Sequence, residues 1–185
     1  MMDIYRAKSY FFGWKIKIQM MQKMLRLRLW MVVGLIMVSG FCFSQDIPKT
    51  IPPFNMVLVD GVTYYNADNI EKGKPLMIVY FDPECEHCQN FTKQLVKNIA
   101  KFSNTQIVMI CAAPGIPPLK KFVDQFNLGK YTNIKAGTEG MYHATMNFYN
   151  VDVTPFTALY NKSGQLITFY RTVPQIQTLV EELKK

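Results

Sequence analysis

An excess of charge of one sign is missing once the front of the chain is set aside. The net charge is +8, but residues 1–44 hold seven of the 21 basic residues and one of the 13 acidic ones, leaving 14 against 12. A nearly neutral body gives no support to nucleic-acid binding. Histidine is rarer still, with only His87 and His143. Beyond residue 44 the cysteines are Cys85, Cys88 and Cys111. A four-ligand zinc site usually needs a second Cys/His pair, and Cys111 and His143 stand far apart in sequence. Internal repeats and low-complexity tracts are absent. So is a long apolar run: the uncharged stretch Leu29–Phe43 has fifteen residues, including Gly34, Ser39 and Gly40. A membrane-spanning helix needs roughly 20.

What that stretch does have is a basic flank, Lys23, Arg26 and Arg28, and a small residue, Ser44, at its end. This pattern describes a secretory signal peptide over residues 1–44, with cleavage after Ser44. An uncleaved anchor through Leu29–Phe43 is the alternative. A lipid attached at Cys42 fits less well, because Phe41 stands where a small residue is needed. Residues 45–53 contain three prolines and no periodicity, and read as a linker. Residues 54–185 then form one domain, with 49% apolar and 14% aromatic residues in the chain as a whole to build its core.

That domain is organised around Ile78 to Cys88. Ile78–Phe81 is an apolar run ending at Asp82-Pro83-Glu84, a strand followed by a turn. Cys85-Glu86-His87-Cys88 comes next. Cys88, Phe91, Leu95, Ile99 and Phe102 then recur at helical spacing on one face. Two cysteines three apart at a helix start can close a small disulfide ring. Cys85 would meet the unpaired N–H groups and the positive end of the helix dipole, which lower a thiol pKa. A protonated His87 would add to that effect, and Glu84 and Glu86 would oppose it. A structural disulfide, or part of a metal site, is the competing reading of the pair.

Before the motif, Met56–Val59 and Val62–Tyr65 read as a hairpin about Asp60-Gly61, and residues 66–74 as a polar loop or short helix. After it, Gln106–Cys111 reads as a second core strand and Pro114–Pro118 as a break. Leu119, Phe122, Val123 and Phe126 line a helix. A short strand is expected near Thr132–Lys135, and another helix carries Met141, Ala144, Thr145 and Phe148. Phe156–Tyr160 and Gln165–Tyr170 form a hairpin about Asn161–Gly164. Pro174 fits the first turn of a closing helix with Ile176, Leu179, Val180 and Leu183 inward. Cys111 reads as a small buried hydrophobe, and His143 as a surface or satisfied histidine.

Strand, turn, Cys-Glu-His-Cys and helix, with this order of elements around them, resemble the thioredoxin superfamily, and the opening hairpin resembles its redoxin branch. The resemblance implies an α/β thioredoxin fold, a central mixed sheet flanked by helices with an N-terminal β-hairpin extension. It implies a thiol–disulfide oxidoreductase without cofactor or metal. Cys85 takes the role of nucleophile and Cys88 that of resolving thiol, tuned by His87 and Glu86. Thr154-Pro155, just before a strand, resembles the family's cis-proline site, where the preceding residue offers its backbone to a substrate chain. The sequence departs from thioredoxins at Val79, where they keep a buried Asp, and at Glu84, where they keep a Trp. These departures suggest a dedicated extracytoplasmic protein, periplasmic after export across the inner membrane. Its implied partners are disulfides or thiols of exported proteins and a membrane electron donor or acceptor. The Glu in the motif and the short segment between Cys88 and Thr154 favour a reductase over a DsbA-like oxidase. A copper-binding module using the same two cysteines is the alternative. A peroxiredoxin is disfavoured, because Asp82-Pro83-Glu84 lacks the Thr it needs.

Overall fold

A computed structural model describes residues 20–26, 28, 30 and 49–184. The chain divides into two units, Met1–Asp46 and Ile47–Lys185. In the first, the described residues are helical and exposed. Apart from Trp30, the run Leu29–Phe43 lies outside the described residues, and with it the signal-peptide or anchor reading. Among the described residues no helix is long and apolar enough to cross a membrane.

The second unit is built on a seven-stranded sheet of order β2-β1-β5-β4-β3-β6-β7. Its strands are β1 Asn55–Leu58, β2 Tyr64–Asn66, β3 Leu76–Phe81, β4 Gln106–Cys111, β5 Ile134–Thr138, β6 Phe156–Tyr160 and β7 Leu166–Tyr170. Strands β3, β4 and β5 are parallel, whereas β1, β6 and β7 join antiparallel. This is the mixed sheet with a leading hairpin that the sequence implied. Every residue of β3, β4 and β6 is buried, which is why these segments read as near-continuous apolar runs, interrupted by Gln106 and Thr157, rather than alternating ones. Successive side chains still part to opposite faces. Met77, Val79 and Phe81 enter one core layer, and Leu76, Ile78 and Tyr80 enter the other.

The helices are α1 Glu86–Lys97, α2 Ile116–Gln125, α3 Ala144–Tyr149 and α4 Ile176–Glu182. Helix α1 buries Cys88, Phe91, Thr92 and Leu95. The apolar spacing that runs on to Phe102 is carried past Lys97 by a separate 3-10 turn, Ile99–Phe102. The segment expected to break the chain instead starts α2, with Pro117 and Pro118 in its first turn. No intrahelical bond needs their missing N–H groups there. Pro174, expected inside the closing helix, precedes its N-cap, Gln175. Before α3, the Glu139–His143 turn projects Met141 to solvent and sinks Glu139. The buried carboxylate accepts from the Thr145 backbone at 3.0 Å and from its hydroxyl at 2.8 Å. His143 Nδ1 lies 3.3 Å from the Tyr80 hydroxyl. Gly137 sits where β1 crosses β5 so closely that an added Cβ would lie 2.8 Å from the Val57 carbonyl and the Met56 side chain.

A candidate redox site at the start of helix α1

Parallel strands β3, β4 and β5 end on the same edge of the sheet at which β6 begins. Loops at such carboxyl ends are where open α/β sheets place their chemistry. Here they carry the Cys85 loop and Thr154-Pro155.

The Cys85 loop is braced by its own residues. Asp82 Oδ1 accepts from the Glu84 N–H at 2.8 Å, and the Asp82 carbonyl accepts from the Cys85 N–H at 3.2 Å. Gln89, one turn into the helix, donates its carboxamide to the Pro83 carbonyl at 2.9 Å. Cys85 is then the N-cap of α1, extended at φ −72° and ψ 118°, and its carbonyl accepts the first helical bond from Gln89 at 3.1 Å. Its side chain makes no capping bond. The sulfur is partly exposed and lies 3.6 Å from the Thr154 carbonyl oxygen. Pro155 is buried, and the Thr154–Pro155 bond is cis.

Three residues on, Cys88 is fully buried. All three described cysteines are free thiols. The environment parts the two thiols of the motif in opposite directions. Burial raises Cys85, but the Cys88 N–H and thiol, the Thr154 side chain and the His87 N–H outweigh it and hold Cys85 below its ordinary 9.0. The two N–H groups are unpaired donors of a helix start, turned on a sulfur, and Thr154 reaches it from the loop before β6. Burial pushes Cys88 up to about 12, and the neighbouring Cys85 adds to it.

Glu84, Glu86 and His87 are exposed. What His87 brings to the Cys85 sulfur is its backbone N–H. Its ring lines a shallow groove with Asn90, Phe91, Gln94, Val173 and Pro174. Cys111, at the end of β4, is buried, and burial pushes its thiol up to about 11. Val79 is buried and pairs with Thr157 of β6 and Met109 of β4. Among the described residues, no three His, Cys, Asp or Glu side chains gather at one point. Sequence reasoning passed over Asp82 and Gln89, which hold the loop. The signal for Asp82 was present, since Asp before Pro favours a turn in which its carboxylate bonds the backbone two residues on.

A family model described as a thioredoxin-like domain matches residues 67–185. The chain belongs to the thioredoxin-like family. No match was found among curated protein sequences. Solved structures share the fold of this thioredoxin-like chain at low identity. A secreted disulfide oxidoreductase of Mycobacterium tuberculosis, homologous to E. coli DsbE, superposes with a TM-score of 0.60 at 19% identity, covering 71% of this chain and 95% of that one. A thiol-disulfide oxidoreductase from Bacteroides fragilis gives 0.60 at 15%, covering 74% and 98%. The thioredoxin domain of a thiol-disulfide oxidoreductase from Bacteroides vulgatus gives 0.61 at 14%, covering 76% and 97%.

Proposed function

We propose that this protein is an extracytoplasmic thiol–disulfide oxidoreductase that reduces disulfides in exported proteins. One observation carries the reading. A partly exposed, acidified thiol caps a helix, and a second, fully buried thiol follows it by three residues. Cys85 as thiolate attacks one sulfur of a client disulfide. The client S–S bond breaks, one client thiolate leaves, and a Cys85–client mixed disulfide forms. Cys88 then loses its proton and attacks the Cys85 sulfur. The Cys85–Cys88 bond forms, and the second client thiolate leaves and takes up a proton. Two electrons pass from the protein to the client, with no cofactor. The Thr154 carbonyl, which faces the Cys85 sulfur, offers backbone pairing to the client chain. Glu86 and His87, exposed on the first turn, set the field that the approaching client meets.

The oxidised protein needs a reducing partner, which we assign to a membrane electron donor. The basic-flanked run Leu29–Phe43 supports export and periplasmic residence, as a cleaved signal over residues 1–44 or as an anchor. One structural neighbour, the Mycobacterium tuberculosis protein, is described as secreted, which supports this reading. The test is redox equilibration of the purified protein against glutathione, followed by trapping of free thiols. A Cys85–Cys88 couple near about −270 mV supports a reductase, and one near about −120 mV reverses the direction. Failure to cycle between dithiol and disulfide, together with tight copper binding lost in Cys85→Ser, overturns the proposal in favour of a metal module.

A further inference from the structure

Resolution of the mixed disulfide requires Cys88 to ionise inside the core, where burial opposes its charge. The groups that act on it most strongly are the Asp82 backbone, the Cys85 sulfur and the Thr154 side chain. Cys111, on β4, shares its core layer and is itself held as a neutral thiol by burial.

Two buried polar groups are unaccounted for. Thr92 and Thr157 are 1% and 0% exposed, and among the described residues their hydroxyls make no hydrogen bond. A buried hydroxyl without a partner is destabilising, so such groups are uncommon. Thr92 follows Cys88 by one helical turn, on the same buried face of α1. Side chains on a helix lean toward its N-terminus, which directs Thr92 at the turn that holds Cys88. A helical threonine often spends its hydroxyl on the carbonyl four residues back, which here is Cys88's own. Thr92 leaves that bond unmade. Thr157 is the ladder partner of Val79. Directly opposed residues share a sheet face, and Val79 faces the layer that contains Cys88, Phe91 and Leu95. Two donors without acceptors thus belong to the layer in which an acceptor appears only when Cys88 becomes a thiolate.

We propose that Thr92 and Thr157 are donors held in reserve for the Cys88 thiolate. This deepens the oxidoreductase reading above and rests on it. In the mixed disulfide, Cys88 gives up its proton, which is balanced by the proton taken up by the departing client thiolate. The two hydroxyls turn toward the thiolate while it exists. As the Cys85–Cys88 bond forms, the charge leaves with the client sulfur and the hydroxyls are released.

The experiment is stopped-flow reaction of the reduced protein with a chromogenic aromatic disulfide. This releases one aromatic thiolate on attack by Cys85 and a second on attack by Cys88. Thr92→Val and Thr157→Val keep the shape and remove the hydroxyl. The double variant is expected to slow the second release about tenfold or more, on the strength of hydrogen bonds to charged groups. The midpoint of its pH profile should move upward. The first release should stay unchanged, and the thermal midpoint should not fall. Thr92→Ser and Thr157→Ser should restore the rate. An unchanged second release and pH profile overturns the proposal, and so does a slowing without a pH shift that the serine variants share. Each single valine variant carries the same test if the double one fails to fold. Absence of any second release from the unsubstituted protein refutes instead the oxidoreductase reading on which this rests.

Discussion

The two thiols of the motif should differ so far in reactivity that one alkylating agent at neutral pH tells them apart. Cys88 is pushed up to about 12, while Cys85 is held below 9.0, a gap of three units or more. Below both values each unit is tenfold in thiolate, so Cys85 carries about 1000 times more of the reactive form. Part of this advantage is returned, because a less basic thiolate is a weaker nucleophile. With a Brønsted slope of about 0.4–0.5, three units give back roughly 1.2–1.5 logarithmic units. Ionisation alone therefore leaves Cys85 ahead by about 30- to 60-fold. Access widens the gap, since Cys88 is 0% exposed and Cys85 is not.

The assay is a quenched time course with iodoacetamide at pH 7, read by mass spectrometry on the unsubstituted protein, Cys85→Ser, Cys88→Ser and Cys88→Ala. Among Cys85, Cys88 and Cys111, one fast adduct is expected, at Cys85, with a pH midpoint below 9.0. Cys88→Ser, which keeps a donor in place, should keep it, and Cys88→Ala should keep it with the midpoint raised, because the Cys88 thiol is one of the groups that lower Cys85. In Cys85→Ser, Cys88 should label at least about 30-fold more slowly than Cys85 does in the unsubstituted protein, by the arithmetic above. Burial, the main cause of the Cys88 shift, survives that substitution. Cys111 should stay silent, being 2% exposed and raised to about 11. Labelling of Cys88 in Cys85→Ser within a few-fold of the Cys85 rate would refute the reasoning.

Stability should hold below pH 9 and fall as pH rises toward 12: unfolded Cys88 ionises near 9.0, folded Cys88 stays protonated to about 12, and the unfolded state alone gains from losing the proton in between. Urea midpoints against pH read this, and Cys88→Ser should flatten the slope; an unchanged slope counts against it. Phe122→Ala should cost about 3–5 kcal/mol in urea unfolding, because Phe122 is 1% exposed between Phe81 and Phe126 at ring distances of 4.5 and 4.8 Å. Gly137→Ala should cost about 1–3 kcal/mol and loosen β1 from β5 first, seen as faster amide exchange at Val57 and Leu58, because the neighbouring atom is partly backbone. Glu139→Ala should lower the thermal midpoint through about 1–3 kcal/mol, since it strands the buried Thr145 hydroxyl.

Much of the fold was legible because its central strands are buried on both faces. Gln106–Cys111 and Phe156–Tyr160 match the strands residue for residue, and places buried on both faces favour a largely apolar run. Boundaries slipped where local chemistry outweighs periodicity. Apolar spacing through Phe102 cannot distinguish one long helix from a helix and a 3-10 turn, since both present the same face to the core. Two adjacent prolines signal a break in a helix interior but suit a first turn, and the difference lies in where Gly115 places the cap. At the site, the Cys85–Cys88 spacing and the Thr154-Pro155 position were readable as motifs. The hydroxyls of Thr92 and Thr157 were not. A threonine on a helix face or in a strand carries no sign of whether its hydroxyl finds a partner, because that depends on neighbours brought together by the fold.

The asymmetry of the two thiols follows from a single structural choice, the placing of a helix start at the edge of a buried sheet. A first turn has free N–H groups, so the residue that caps it is stabilised as an anion. The residue three further on has rotated onto the face that packs against the sheet, so it is desolvated. One backbone geometry thus brings N–H groups to Cys85 and desolvates Cys88; the Cys88 thiol and the Thr154 side chain add to the first effect and Cys85 to the second. An accessible thiolate that opens a disulfide, backed by a thiol reluctant to ionise, disfavours premature closure of the ring. The same reluctance would stall the second step unless the core supplied donors at the moment of charge separation. Hydroxyls suit that task better than a carboxylate would as donors, because a neutral group adds no second negative charge to a layer already unfavourable to one.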